Sequence, residues 1–168
     1  MTTLTELFFD QLAPEQKSIR SYKVVADPSH EGTIQLIQYW REKDSSGGLV
    51  VGRDIPSKAI SSILSNLIVY EPIFDFADFR VQHAGTRNYA HYHGDVTGKL
   101  MSELFDAEAF KYNCAKAKEV LLSHRMMIFE ADLSQFGITR RTYEVVLLPV
   151  LAPDRSSPWM LCGIFRFD

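Results

Sequence analysis

The spacing of hydrophobic positions changes near residue 66, and this change separates a helical part of the chain from a strand-like part. Before it, the segment TIQLIQYWREKD places Ile34, Ile37 and Trp40 at helical spacing, and Leu36 and Tyr39 widen the apolar stripe. This pattern predicts a helix that ends at the polar segment DSSGGL.

A short helix is also predicted over SKAISSILSN. Asp54 is a candidate N-cap, and Pro56 suits the first turn, where a missing N–H costs nothing. Ile60, Ile63 and Leu64 then share one face.

At the amino terminus, Thr3 and Glu6 have the spacing of a capping box ahead of an apolar run. They predict an amphipathic helix that ends at about Pro14. We therefore assign residues 1–30 to an N-terminal helical extension and residues 31–168 to the domain proper.

After residue 66 the pattern favours strands. The β-branched and aromatic run NLIVYEP is followed by DFRVQHAG, in which Phe79, Val81 and His83 alternate with Arg80 and Gln82. The two segments predict an antiparallel hairpin, with His83 on the same face as Phe79 and Val81.

A longer helix and three strands complete the pattern. Asp106 caps the segment DAEAFKYNCAKAKEVLLSH, whose stripe contains Phe110, Cys114, Ala117 and Leu121. The strand candidates RMMIFEADL, RRTYEVVLLPVLA and PWMLCGIFRFD follow it. Two strands, a helical insert and three strands predict an α+β domain with one antiparallel sheet.

Composition and charge narrow the possible functions. The 168-residue chain is 46% hydrophobic and 23% charged, which is typical of one globular domain. Its net charge of -3 disfavours nucleic-acid binding. We expect a cytoplasmic protein, because we find no basic leader, no apolar run long enough to cross a bilayer and only two separated cysteines.

The stretch GTRNYAHYHGDVTGK brings His91, His93 and Asp95 close together in sequence. The two histidines would point to the same side only in an extended segment, and no cysteine has ligand spacing, so we expect no metal site. Asp95 and Gly98 are residues typical of turns. Cys114, on an apolar stripe, resembles a small core residue more than a nucleophile. We interpret the stretch as a structural connector, with a place in a ligand pocket as the alternative.

Several segments together resemble the PAS-type family common in alphaproteobacteria. They are, in order, IQYWREKD, RDIPSKAISSILSNLIVYE, DFRVQHAGT, GDVTGKLMSELF and YEVVLLPVLA, and the resemblance covers roughly residues 34 to 168. The chain departs from the family pattern at the HYH of the connector and at Leu148-Pro149-Val150. The resemblance implies a five-stranded antiparallel sheet, with small helices packed over one face between its second and third strands. It also implies a stand-alone sensory or interaction module without catalysis.

In such a fold a ligand pocket would lie between the sheet and the helical insert. The resemblance makes these residues its candidate lining: Phe79, Val81, His83, Tyr89, Tyr92, Leu104, Phe110, Cys114, Tyr143, Val145 and Leu147. The hydroxyls of Tyr89 and Tyr143 would orient a ligand. His83 has three interpretations: a satisfied histidine in the core or at the margin of the sheet, a polar anchor or an axial haem ligand. A filled core is the alternative to a pocket, and no residue identifies a flavin, haem or fatty acid.

The last strand predicts that both faces of the sheet need a cover. Its apolar side chains alternate, with Trp159, Leu161 and Phe165 on one face and Met160, Cys162 and Ile164 on the other. The N-terminal extension is a natural cover for the outer face, within one chain or exchanged between two. We therefore expect a homodimer.

Three functions remain open at this point. The favoured one is a regulatory PAS-like sensor or adaptor that binds a small molecule, a signalling partner protein, or both. The others are a pure interaction module without a ligand, and a small-molecule enzyme that uses His91, His93 and Asp95.

The connector interpretation predicts that the two histidines contribute little to stability. We expect His91→Ala and His93→Ala each to change the free energy of unfolding by less than about 0.5 kcal/mol, as at ordinary surface positions. Urea denaturation measures this change. Loss of a stoichiometric metal ion from either variant would contradict the interpretation.

Overall fold

A computed structural model of the protein describes residues 22–88, 94–132 and 141–167. It contains six strands and three α-helices, whose order is β1 (Tyr22–Val25), α1 (Glu31–Asp44), β2 (Leu67–Ile73), β3 (Asp78–Ala84), α2 (Met101–Leu104), α3 (Ala107–Ser123), β4 (Met127–Asp132), β5 (Arg141–Leu151) and β6 (Pro158–Arg166). Short 3-10 turns occupy Lys58–Ile60, Leu64–Asn66 and Thr86–Asn88.

All strand pairs of the sheet are antiparallel, and the order across it is β1-β4-β5-β6-β2-β3. This confirms the predicted α+β class and all five predicted strands, β2 to β6. The sixth, β1, pairs with β4 and was not predicted. Strand β1 lies within residues 1–30, which the sequence assigned to a helical extension. The helix predicted up to Pro14 lies outside the described residues. The domain boundary stays a prediction.

The helical insert lies where the resemblance placed it, between β3 and β4. The short helix α2 packs on β3, and α3 packs on β5 and β6. Asp106 caps α3, since its carboxylate accepts a hydrogen bond from the Ala109 N–H at 2.8 Å. We call the sheet surface under this insert the inner face and the opposite surface the outer face.

Helix α1 covers the outer face together with residues 49–63. The Leu- and Phe-rich N-terminal segment, which the sequence offered as a natural cover, lies outside the described residues. Trp40 donates from Nε1 to the Pro149 carbonyl at 2.7 Å. The close approach of α1 to β6 requires glycine at position 163, because a Cβ there would lie 2.7 Å from a methyl carbon of Leu36. The predicted alternation of β6 is confirmed, since Leu161 and Phe165 are buried on this face.

Two local predictions on this side of the sheet are wrong. Ile34 is 46% exposed, because α1 turns Thr33, Leu36 and Ile37 toward the sheet instead. The helix predicted over residues 57–66 consists of two 3-10 turns. Asp54 caps neither of them, since its carboxylate accepts from the Val50 N–H at 2.7 Å.

A buried carboxylate fixes the start of α1. Glu144 is fully buried, and its oxygens accept hydrogen bonds from the backbone N–H groups of Ser29, at 2.9 and 3.1 Å, and His30, at 2.9 Å. His30 is the N-cap of α1, so the negative charge lies beside the positive end of the helix dipole. A single side chain of β5 therefore holds the outer helix in register with the sheet.

One edge of the sheet is partly paired by the connector. The Gly98 N–H donates to the Val81 carbonyl at 2.7 Å, and the Val81 N–H donates to the Lys99 carbonyl at 2.9 Å. The connector thereby satisfies backbone groups of β3 that no other strand reaches.

We expect Glu144→Gln to lower the free energy of unfolding by about 1–3 kcal/mol, because the amide replaces one accepting oxygen with a donor that faces backbone N–H groups. Urea denaturation of this variant and of the unchanged protein measures the difference in the free energy of unfolding. Glu42→Gln, the same substitution at an exposed position of α1, should change it by less than about 0.5 kcal/mol. Equal stabilities of the two variants would contradict the proposed role of Glu144.

Candidate functional site

The inner face carries one continuous apolar cluster, roofed by α2 and α3. Six of the predicted lining residues belong to it and are at most 5% exposed: Phe79, Val81, Leu104, Tyr143, Val145 and Leu147. Phe110 and Cys114 pack against the same cluster from α3 and are half-buried. The structure therefore brings most of the predicted lining together.

The cluster also contains residues that the predicted lining left out. Alternation along the predicted strands would have identified several of them, because every second side chain of a strand lies on the same face. They include Ile68, Tyr70, Phe129, Met160 and Cys162. Val96, from the connector, is completely buried in the cluster as well. No sequence signal singled it out.

His83 does not belong to the inner face, and the prediction that placed it there is wrong. Tyr70 pairs with Val81 but Val69 pairs with His83, so Gln82 is the extra residue of a β-bulge. The bulge reverses the alternation after Val81. His83 is exposed beside Val69, a residue of the outer-face cluster, while Ala84 is buried on the inner face.

The other residues of the connector divide into two groups. Tyr89, His91, Tyr92 and His93 lie outside the described residues. The Asp95 carboxylate accepts from the Thr97 N–H at 2.9 Å and from its hydroxyl at 2.6 Å, so Asp95 forms the turn that the sequence indicated.

A few polar groups border the cluster. Burial raises the pKa of the Tyr143 hydroxyl, although the nearby charge of Arg166 opposes this effect. The buried Asp78 accepts from the Ser102 N–H at 3.2 Å and from its hydroxyl at 2.5 Å, which ties α2 to the start of β3. The lining is therefore apolar with polar groups at its margins, as in sites for small molecules.

The two thiols lie in different parts of this site. Burial raises the pKa of Cys162 to about 12. Burial and the charge of Asp78 also raise the pKa of Cys114, whose sulfur lies 3.5 Å from the Ala77 carbonyl oxygen. Both groups are protonated at neutral pH, which makes them poor nucleophiles and poor metal ligands.

The described residues contain no group of three or more His, Cys, Asp or Glu side chains placed to hold a metal ion. None of the helices in these ranges is both long enough and apolar enough to cross a bilayer.

Comparison with known proteins gave one match. A protein-family model described as a PAS domain matches residues 28–165, most of the chain, and confirms the resemblance drawn from the sequence motifs. No curated protein and no solved structure matches the chain.

The Cys162 thiol should be inert in the folded protein. In Cys114→Ala, Cys162 is the remaining thiol. We expect it to react with an aromatic disulfide reagent at pH 7.5 at least about a hundredfold more slowly in the folded protein than in urea, because little of it is thiolate and its sulfur is buried. The absorbance of the aromatic thiol released from the reagent measures the rate. Cys162→Ala, which retains the half-buried Cys114, should react faster; equal rates in folded and unfolded Cys114→Ala would contradict the burial of Cys162.

Proposed function

Since the chain belongs to the PAS-domain family, whose members are typically sensory or signalling modules, we propose that it is a regulatory sensor or adaptor that binds a small molecule on the inner face, a partner protein, or both, without catalysis of its own. The observation that carries this proposal is the unequal packing of sheet and roof. The sheet contributes large, fully buried side chains such as Phe79 and Met160. The roof helix α3 contributes Ala117, Val120 and Leu121, while Phe110 and Cys114 of the same helix are only half-buried.

This packing favours the insert as the element that responds to a ligand. The small Ala117 and the half-buried Phe110 and Cys114 bury little apolar area. Displacing α3 therefore costs less free energy than disturbing the sheet. The insert is held near its start, where Asp78 binds Ser102, and at the middle of α3, where the Cys114 thiol approaches the Phe76 and Ala77 carbonyls. A ligand that favours one position of α3 would shift the population of the whole insert.

The end of α3 offers a route to the outer face. His124, which follows the helix, lies with its Nε2 3.0 Å from Oδ1 of Asp44, at the end of α1. Its ring also lies near that of Trp40, with centroids 6.3 Å apart. A shift of α3 would therefore change contacts at the end of the helix that covers the opposite face, where a partner could detect it.

The oligomeric state, the location and the lack of catalysis do not follow from this packing. The apolar outer face was one reason to expect a homodimer, and α1 covers that face within the chain. The homodimer and the cytoplasmic location stay predictions, as does the lack of enzymatic activity.

Native mass spectrometry of protein purified from its own host, followed by denaturation, tests the proposal. We expect a retained small molecule that Ala117→Leu loses, because Ala117 is fully buried where α3 meets the sheet and the larger side chain would compete with a ligand for that position. Ala115→Leu, the same change at an exposed position of α3, should retain it. If neither a bound molecule nor a metabolite that raises the melting temperature is found, the module without a ligand is favoured. Turnover of a small molecule that requires Asp95 would instead favour an enzyme.

A further inference from the structure

An opening lies at the end of the sheet, where the neighbouring strands β2 and β6 separate. Leu67 pairs with Gly163 at the start of β2, but β6 continues to Arg166, and its last residues pair with β5 alone. The space beside them is a cleft of about 890 Å³. We call it the β6–β2 cleft.

One wall of this cleft is flat and uncharged. The Arg166 carbonyl can only accept, so Nε2 of His30, 2.9 Å away, carries the proton. Nδ1 of His30 accepts from the Gly32 N–H at 2.9 Å, which fixes the neutral imidazole. The ring stacks on Phe165, with centroids 5.2 Å apart and planes inclined by 28°. A planar ligand body could pack against this rigid wall.

The lining of the cleft also carries positive charge. Arg87 and Arg166 both line the cleft and are exposed. Within the described ranges neither guanidinium forms an ion pair with a carboxylate; Arg87 donates from Nε to the Ser65 hydroxyl at 3.2 Å. Glu31 is the single carboxylate in the lining, so the two guanidinium charges exceed it by one.

Tyr143 places a further polar group at the cleft. Its side chain belongs to the inner-face cluster and also lines the cleft. Tyr143 and Arg166 are direct partners across β5 and β6, which puts both side chains on the same side of the sheet. The cleft thus combines a planar wall, a phenol and two guanidinium groups, and its volume is within the range of small-molecule sites.

We infer that the β6–β2 cleft binds a small organic anion, with a carboxylate or phosphate group held by Arg87 and Arg166 and a planar body against the ring of His30, which the buried Phe165 supports. Guanidinium groups suit this task because their planar N–H donors match the oxygens of both anions. The site differs from the inner-face ligand site proposed above, and it adds a second input to the same domain.

Titration of the full chain with phenyl phosphate, benzoate and uncharged benzyl alcohol, followed in amide proton–nitrogen spectra, tests the inference. At least one of the two anions should shift the amides of Gly32, Arg87 and Arg166, and comparison of the two identifies the preferred group. Arg87→Gln and Arg166→Gln should each weaken its binding by about tenfold or more, as expected for loss of a charged hydrogen bond. Arg125→Gln, the same change at an exposed position away from the cleft, should leave the affinity unchanged.

Four results would overturn the inference. They are shifts confined to inner-face amides such as that of Cys162, equal binding of benzyl alcohol, unchanged affinity in both cleft variants, and absence of binding by both anions. None of these results contradicts the inner-face proposal, because that proposal is tested by a molecule retained from the host and by Ala117→Leu.

Discussion

The two central strands, β5 and β6, are apolar on both faces, and the rest of the fold follows from the need to keep both faces from water. On β5, Val145 and Leu147 are buried on one side, and Val146 and Leu148 on the other. Strands of this kind occur where each face has a layer packed on it. Helix α1 supplies one layer and the insert supplies the other, so the domain has three layers although its sheet is antiparallel.

The two layers are attached to the sheet in different ways. The outer helix is tied at its start by Glu144 and near its end by the Trp40 hydrogen bond to Pro149. The insert is tied near its start by Asp78 and Ser102, and its side chains Phe105, Phe110 and Cys114 are only partly buried. This difference is the reason for proposing that the inner side of the sheet, rather than the outer side, responds to a ligand.

Apolar runs bounded by turn-like segments were the most reliable information in the sequence. They identified the strands β2 to β6, and a side-chain period of two then placed Val145 and Leu147 on one face. The cap residue Asp106 was equally informative, since its side chain satisfies backbone groups of its own helix. The family motifs then supplied the place of the insert, which periodicity alone does not give.

The failures occurred where long-range contacts decide the local structure. A bulge at Gln82 moved His83 to the other face, and nothing in the hairpin sequence marks that extra residue. Ile34 had the right spacing for a buried stripe, but the approach of α1 to Gly163 selected a neighbouring face of the helix. The short strand β1 depends on pairing with β4, a partner about a hundred residues away.

The pairing of the connector with β3 has a consequence for assembly. A foreign strand that added to this border of the sheet would have to compete with Gly98 and Lys99 for the Val81 amide and carbonyl. Those partners belong to the same polypeptide, so their effective concentration is high without any second molecule. Gly98 and Lys99 thereby protect the domain against lateral strand addition at Val81.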